Sequence, residues 1–159
     1  MARPFGVDDV RVVEALNAYV KLLRAGRAVL GLVEPRLAAS GLTVTQFGVL
    51  EAILHKGPLS QRELSQKVLT SPGNMTDLVD KLEARGLVRR TRQKLDRRAV
   101  QVELTTAGRA VIEPLFTAHA ADIAQAMAPL NGDELRQLGG LLRKLGLTPT
   151  DVADDDWDS

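Results

Sequence analysis

The sequence contains no cysteine, which excludes disulfides, thiolate-bound zinc and redox sensing by a thiol of its own. It has two histidines, His55 and His119, far apart and without the companion spacing of a metal site. A lone histidine on an apolar helical face, as His119 is, lies in a core or an interface more often than on a metal. There is no glycine-rich phosphate loop, no nucleophile elbow and no inward pair of carboxylates, so neither enzyme activity, a metal nor a cofactor is expected. No apolar run approaches the roughly 18 residues of a membrane span. The opening MARPFGVDDV also lacks the apolar centre of a signal peptide. Together these absences lead to the expectation of a cytoplasmic protein with no membrane partner.

What is present is a folding chain with unevenly placed charge. Its 159 residues, 45% of them apolar, suffice for one domain with helical extensions and a core that needs no staples. The final nine residues, DVADDDWDS, carry five aspartates and no base, so the net charge of +1 conceals a basic body. Residues 85–98, RGLVRRTRQKLDRR, hold seven arginines or lysines against a single acid. Such a cluster is a candidate polyanion footprint, although charge runs are more often simply solvated faces. The tail, 148–159, reads as disordered, serving solubility or competing with a polyanion for the basic stretch.

One helix-start device recurs three times. Thr43 to Gln46, Ser60 to Glu63 and Asn131 to Glu134 each set a capping residue three positions before a Glu or Gln. An apolar pair flanks each box: Leu42 with Phe47, Leu59 with Leu64, Leu130 with Leu135. Ser71 followed by Pro72 starts a further helix, proline standing where its missing N–H costs nothing. Met75, Leu78, Val79 and Leu82 share one face of it, and Arg85-Gly86 ends it. Residues 60–85 thus read helix, tight turn, helix. After Gly86 the period becomes two, with LVRRTR and AVQVEL flanking the polar tip QKLDRR as a hairpin.

The other segments predict long helices. Val13, Leu16, Val20, Leu23, Arg27 and Leu30 form a heptad-like seam between residues 8 and 34. A second long helix is expected from Thr106 through Met127, with a bend near Pro114, and a third from 131 carrying Leu135, Leu138, Leu142 and Leu145. The resulting division is a helical dimerisation region, 8–40 with 106–147, around a DNA-binding unit, 41–105. The fold class is mainly α (α+β), a winged helix-turn-helix with long terminal helices. Pairing of two copies covers the apolar surface those helices carry; folding back into one larger monomeric core is the alternative.

Helix, turn, helix and basic hairpin is the order in which a second helix enters the major groove and the hairpin tip follows the backbone or the minor groove. At this point LTVTQFGVLEAI, GPLSQRELSQKV, NMTDLVDKLEARGLVRR and DRRAVQVELTTAGRAV, four segments in succession, resemble the MarR family of bacterial transcriptional regulators. The resemblance is strong over about residues 42–112. It implies a homodimeric repressor on a pseudo-palindromic double-stranded DNA operator, released by a small effector, often phenolic or lipophilic. An activator or architectural DNA-binding protein, or an interaction module that has lost operator binding, stand as the alternative readings.

Residue by residue, the resemblance places Ser71, Gly73, Asn74, Thr76, Asp77 and Lys81 on the recognition helix. Asn74 suits an adenine edge, and Thr76 either a phosphate or a thymine methyl. Asp77 departs from the family, where an arginine or another polar group is common. In the wing, Arg90 and Arg92 share one strand face and Arg89 the other. At the tip the resemblance implies that Asp96 orients a minor-groove arginine, Arg98 or its neighbour Arg97, with Lys94 on the backbone. It also implies an effector pocket between dimer helices and winged module, to which Leu16, Tyr19, Phe47, Leu50 and His55 are assigned.

Overall fold

The computed structural model describes residues 9–68, 71–92 and 100–146. Capping sets its helix boundaries. Asp9 accepts from the Arg11 amide at 2.8 Å and starts α1, Val10–Ala39. The reciprocal Thr43–Gln46 box, with bonds of 3.0 and 3.1 Å, starts α2, Val44–Lys56. The Ser60–Glu63 box, 2.7 and 3.2 Å, starts α3, Gln61–Lys67. Ser71 caps α4, Pro72–Ala84, through the Asn74 amide at 3.3 Å. Two strands follow, β1 (Val88–Arg92) and β2 (Val100–Leu104), and then α5 (Thr106–Ala126) and α6 (Gly132–Gly146), the last begun by the Asn131–Glu134 box at 2.8 and 3.0 Å.

Two helices end in the same way. Gly41 and Gly86 adopt φ of 73° and 69°, a region that β-carbon-bearing residues avoid. After each, the next amide reaches back to a carbonyl one turn earlier, Leu42 to Leu37 at 3.1 Å and Leu87 to Leu82 at 3.0 Å. These are Schellman closures, and in both the apolar pair that brackets the turn is buried. α1 is longer than its seam predicts, running past Pro35 to Ala39, and α5 continues through Pro114.

The hairpin is antiparallel, with Val88 opposite Leu104, Arg90 opposite Val102 and Arg92 opposite Val100. Val102 also pairs on its other side with Leu59, through bonds of 3.1 and 2.7 Å. The wing is therefore stitched to the residue that precedes α3, an attachment the periodicity did not signal. Leu50, Leu64, Met75, Val79, Leu82 and Val102 are fully buried around this junction.

The chain divides at Ile123–Ala124 into two compact units. In the first, α5 is docked by a close approach at its start. Thr105 donates through its hydroxyl to the Gly86 carbonyl at 2.6 Å and caps the Gly108 amide at 2.9 Å. A β-carbon on Gly108 would lie 1.8 Å from the Leu87 carbonyl oxygen. Farther along, Asp122 takes both nitrogens of an Arg36 fork, tying α5 to α1. His119 is buried against Phe47, ring centroids 4.6 Å apart, and its Nδ1 has no hydrogen-bond partner among the described residues. His55 packs edge-on against Phe116 at 4.6 Å. In the second unit, α6 buries none of its residues, and Leu135, Leu141, Leu142 and Leu145 are exposed.

Two outcomes follow from these packings. Helix propensity alone would make Gly108→Ala stabilising by about 1 kcal/mol, but the backbone clash outweighs it. The substitution should destabilise by about 1–3 kcal/mol or more in chemical denaturation. Burial pushes the His119 imidazole below its ordinary value of 6.5, with Asp122 opposing and Arg36 adding to the shift. The folded state then binds that proton less tightly than the unfolded chain. Its contribution to stability is complete above pH 6.5 and is lost as pH falls through the depressed folded value. Thermal melts of His119→Leu between about pH 7 and 5 should therefore depend less on pH than those of the parent.

Candidate nucleic-acid interface

The helix-turn-helix is built by the apolar stripe of α4. Met75, Val79 and Leu82 are fully buried and Leu78 is half-buried. The opposite face is left to Gly73, Asn74, Thr76, Asp77, Asp80 and Lys81, all exposed. Ser71 spends its hydroxyl on the cap, which leaves Gly73, Asn74, Thr76 and Asp77 as the groups presented near the helix start. Short polar side chains at the N-terminal end of a second helix suit base edges in the major groove. Asp77 makes no ion pair or hydrogen bond among the described residues.

Three acids and one base on α4 would repel phosphate, and the wing reduces that cost. Arg90 faces inward from β1 and is half-buried. Its guanidinium donates to Glu83 at 2.5 Å, to Asp80 at 2.6 Å and to the Gln61 side-chain carbonyl at 3.1 Å, while its amide donates to Glu83 at 2.9 Å. Burial disfavours its charge, but the two carboxylates outweigh that and hold the guanidinium pKa above its ordinary value. Gln61 in turn donates to the Thr76 hydroxyl oxygen at 3.0 Å. One arginine thus joins β1, α3 and α4, and two of the three α4 acids are neutralised within the protein.

This gives Arg90 a different task from the DNA contact expected of it. Side chains on one strand face share a direction, but Val88 and Val102, on the same side as Arg90, are core residues, so that side turns inward near the strand start. Arg92, at the far end, is exposed. Arg89, on the opposite side, pairs with Glu103 across the hairpin at 2.5 Å. Lys94, Asp96, Arg97 and Arg98 lie outside the described residues. Gln61 was not anticipated; nothing local distinguishes it, because its role exists only once α3, α4 and β1 meet.

Among the described residues, those assigned to an effector pocket fall in different surroundings. Phe47 and Leu50 are core residues. Leu16 and Tyr19 line an open groove of about 410 Å³ along α1 with Asp9, Arg11, Val12 and Ala15. His55 lies exposed at the end of α2, against Phe116.

A family model described as "MarR family" matches residues 40–99. The HTH-type transcriptional regulator MhqR of Bacillus subtilis is 31% identical over 134 residues, covering 84% of this chain and 92% of that protein. Among solved structures, a mutant MarR from E. coli complexed with operator DNA superposes with a TM-score of 0.74 at 26% identity, over 88% of this chain and 100% of that one. CouR from Rhodococcus jostii bound to p-coumaroyl-CoA gives 0.72 at 29% identity, over 78% and 87% of the two chains.

The clamp has a measurable weight. Removing the shared donor from this part-exposed network leaves three acceptors without it, so Arg90→Ala should cost about 1–2 kcal/mol in denaturant unfolding. Arg89→Ala, which breaks an exposed pair, should cost less than about 1 kcal/mol. Equal losses would show that Arg90 is no joint.

Proposed function

The chain belongs to the MarR family of DNA-binding transcriptional regulators, and we propose that it acts as a homodimeric repressor in the cytoplasm, binding an inverted-repeat operator and released by a small lipophilic or phenolic effector. The observation that carries the DNA-binding half of this reading is α4, buried on one side by Met75, Val79 and Leu82 and polar on the other. Asn74, Thr76, Asp77 and Lys81 face base edges and backbone in this reading. Arg92, Lys94, Arg97 and Arg98 supply the phosphate and minor-groove contacts, Asp96 orienting an arginine at the tip. That the similar E. coli protein is complexed with operator DNA supports DNA binding by this fold.

Dimerisation through the terminal helices, 8–40 and 106–147, rests on apolar exposure. Val10, Tyr19, Leu23 and Leu32 on α1 are exposed, as are the α6 leucines, and a second copy would remove that surface from water. Among the described residues no single helix is long and apolar enough to cross a membrane, so these stripes are read as protein-facing. That CouR is bound to p-coumaroyl-CoA supports a small-molecule ligand for this chain. Of the residues assigned to the pocket, Leu16 and Tyr19 line a groove along α1 in the single chain.

Size-exclusion chromatography and selection from a random DNA pool test the reading together, with a dimer and an enriched inverted repeat as the expected result. A monomer that enriches no repeat would sink it. On the selected DNA, Arg98→Ala should weaken binding and lower the slope of log affinity against log salt by about one.

A further inference from the structure

The hydrogen-bond chain from Arg90 to Thr76 determines which atoms of Thr76 are turned toward the protein. A guanidinium only donates, so the Gln61 amide must turn its oxygen to Arg90, as the 3.1 Å bond to Oε1 records. Its nitrogen is thereby directed to Thr76, donating to Oγ1 at 3.0 Å. In a helix threonine divides between two χ1 rotamers, and its hydroxyl and methyl turn together because both branch from Cβ. A hydroxyl oxygen held toward α3 therefore places the γ-methyl as well. Thr76 is exposed on α4 between Asn74 and Asp77. The group it can bring to a base edge is then apolar, and the apolar feature of the major groove is the 5-methyl of thymine.

We propose that Thr76 is a specificity-determining residue that reads thymine by methyl contact, and that Gln61 and Arg90 are positioning residues holding it in the required rotamer. The proposal rests on α4 being the recognition helix. It separates base reading from phosphate binding: Thr76 adds preference without adding a counterion-releasing contact. Arg90, though basic and in the wing, likewise serves preference and not charge.

Deoxyuridine differs from thymidine only in that methyl, so it is the probe. DNA enriched from a random pool by the full-length protein is remade with each thymine replaced in turn by deoxyuridine. One thymine per half-site should show roughly three- to fivefold weaker binding, the worth of one apolar methyl contact. Thr76→Val, which keeps the methyl, should retain that penalty, and Thr76→Ser should abolish it. Gln61→Ala should shrink it, with the salt slope unchanged in all three.

If no uracil penalty disappears in Thr76→Ser, the assignment to thymine is overturned. Thr76→Val binding every sequence more weakly by the same factor, with the uracil penalties unchanged in Thr76→Ser, would overturn it in favour of a hydroxyl–phosphate contact. A penalty undiminished in Gln61→Ala would overturn the positioning role. A protein that enriches no sequence would overturn the reading of α4 and this proposal with it, whereas an enriched sequence without the uracil pattern defeats the Thr76 proposal alone.

Discussion

The guanidinium of Arg90 is the constraint on which the placement of α4 and the wing depends. It sits where β1, α3 and α4 converge and donates to a residue of each helix, through Gln61 on one and Asp80 and Glu83 on the other. Charge-assisted bonds are short and directional, so they set orientation as well as separation. Apolar packing of Met75, Val79 and Leu82 keeps α4 on the core, but dispersion and hydrophobic burial are not directional. The arginine restricts how α4 can slide or roll against the wing.

The same clamp resolves an electrostatic difficulty. As a proposed recognition helix, α4 with Asp77, Asp80, Glu83 and Lys81 is a poor approach to a polyanion. Pairing Asp80 and Glu83 with Arg90 leaves Asp77 as the acid of α4 without a partner among the described residues. A carboxylate at that position can accept from a cytosine amine and repels phosphate. In the proposed reading the helix discriminates among bases, while the basic wing residues supply the attraction that does not depend on sequence. Its fixed relation to α5 comes from the Thr105–Gly86 and Gly108–Leu87 junction, where backbone meets backbone with no room for a side chain.

Much of the architecture was legible because it is written in local interactions. A capping box spans four residues, a glycine closure six, and a hairpin alternation two per repeat, so each can be recognised without knowing what lies elsewhere in the fold. All three boxes close reciprocally, and the amphipathic stripe of α4 faces the core as its spacing requires. The errors and omissions are non-local. Arg90 and Arg92 look equivalent in the sequence, yet one is half-buried and the other exposed. Leu59 reads as a helix staple, but its backbone also extends the sheet to Val102.

By itself the sequence determined where the capped helices begin, which face of α4 is apolar, and the order helix, turn, helix, hairpin. These follow from propensity, capping and periodicity over a few residues. Only the tertiary structure decided which basic side chains remain outside, that Gln61 bridges Arg90 to Thr76, and that Gly108 is required by the carbonyl of Leu87. Those outcomes depend on distances between segments far apart in the chain, and no local pattern encodes them.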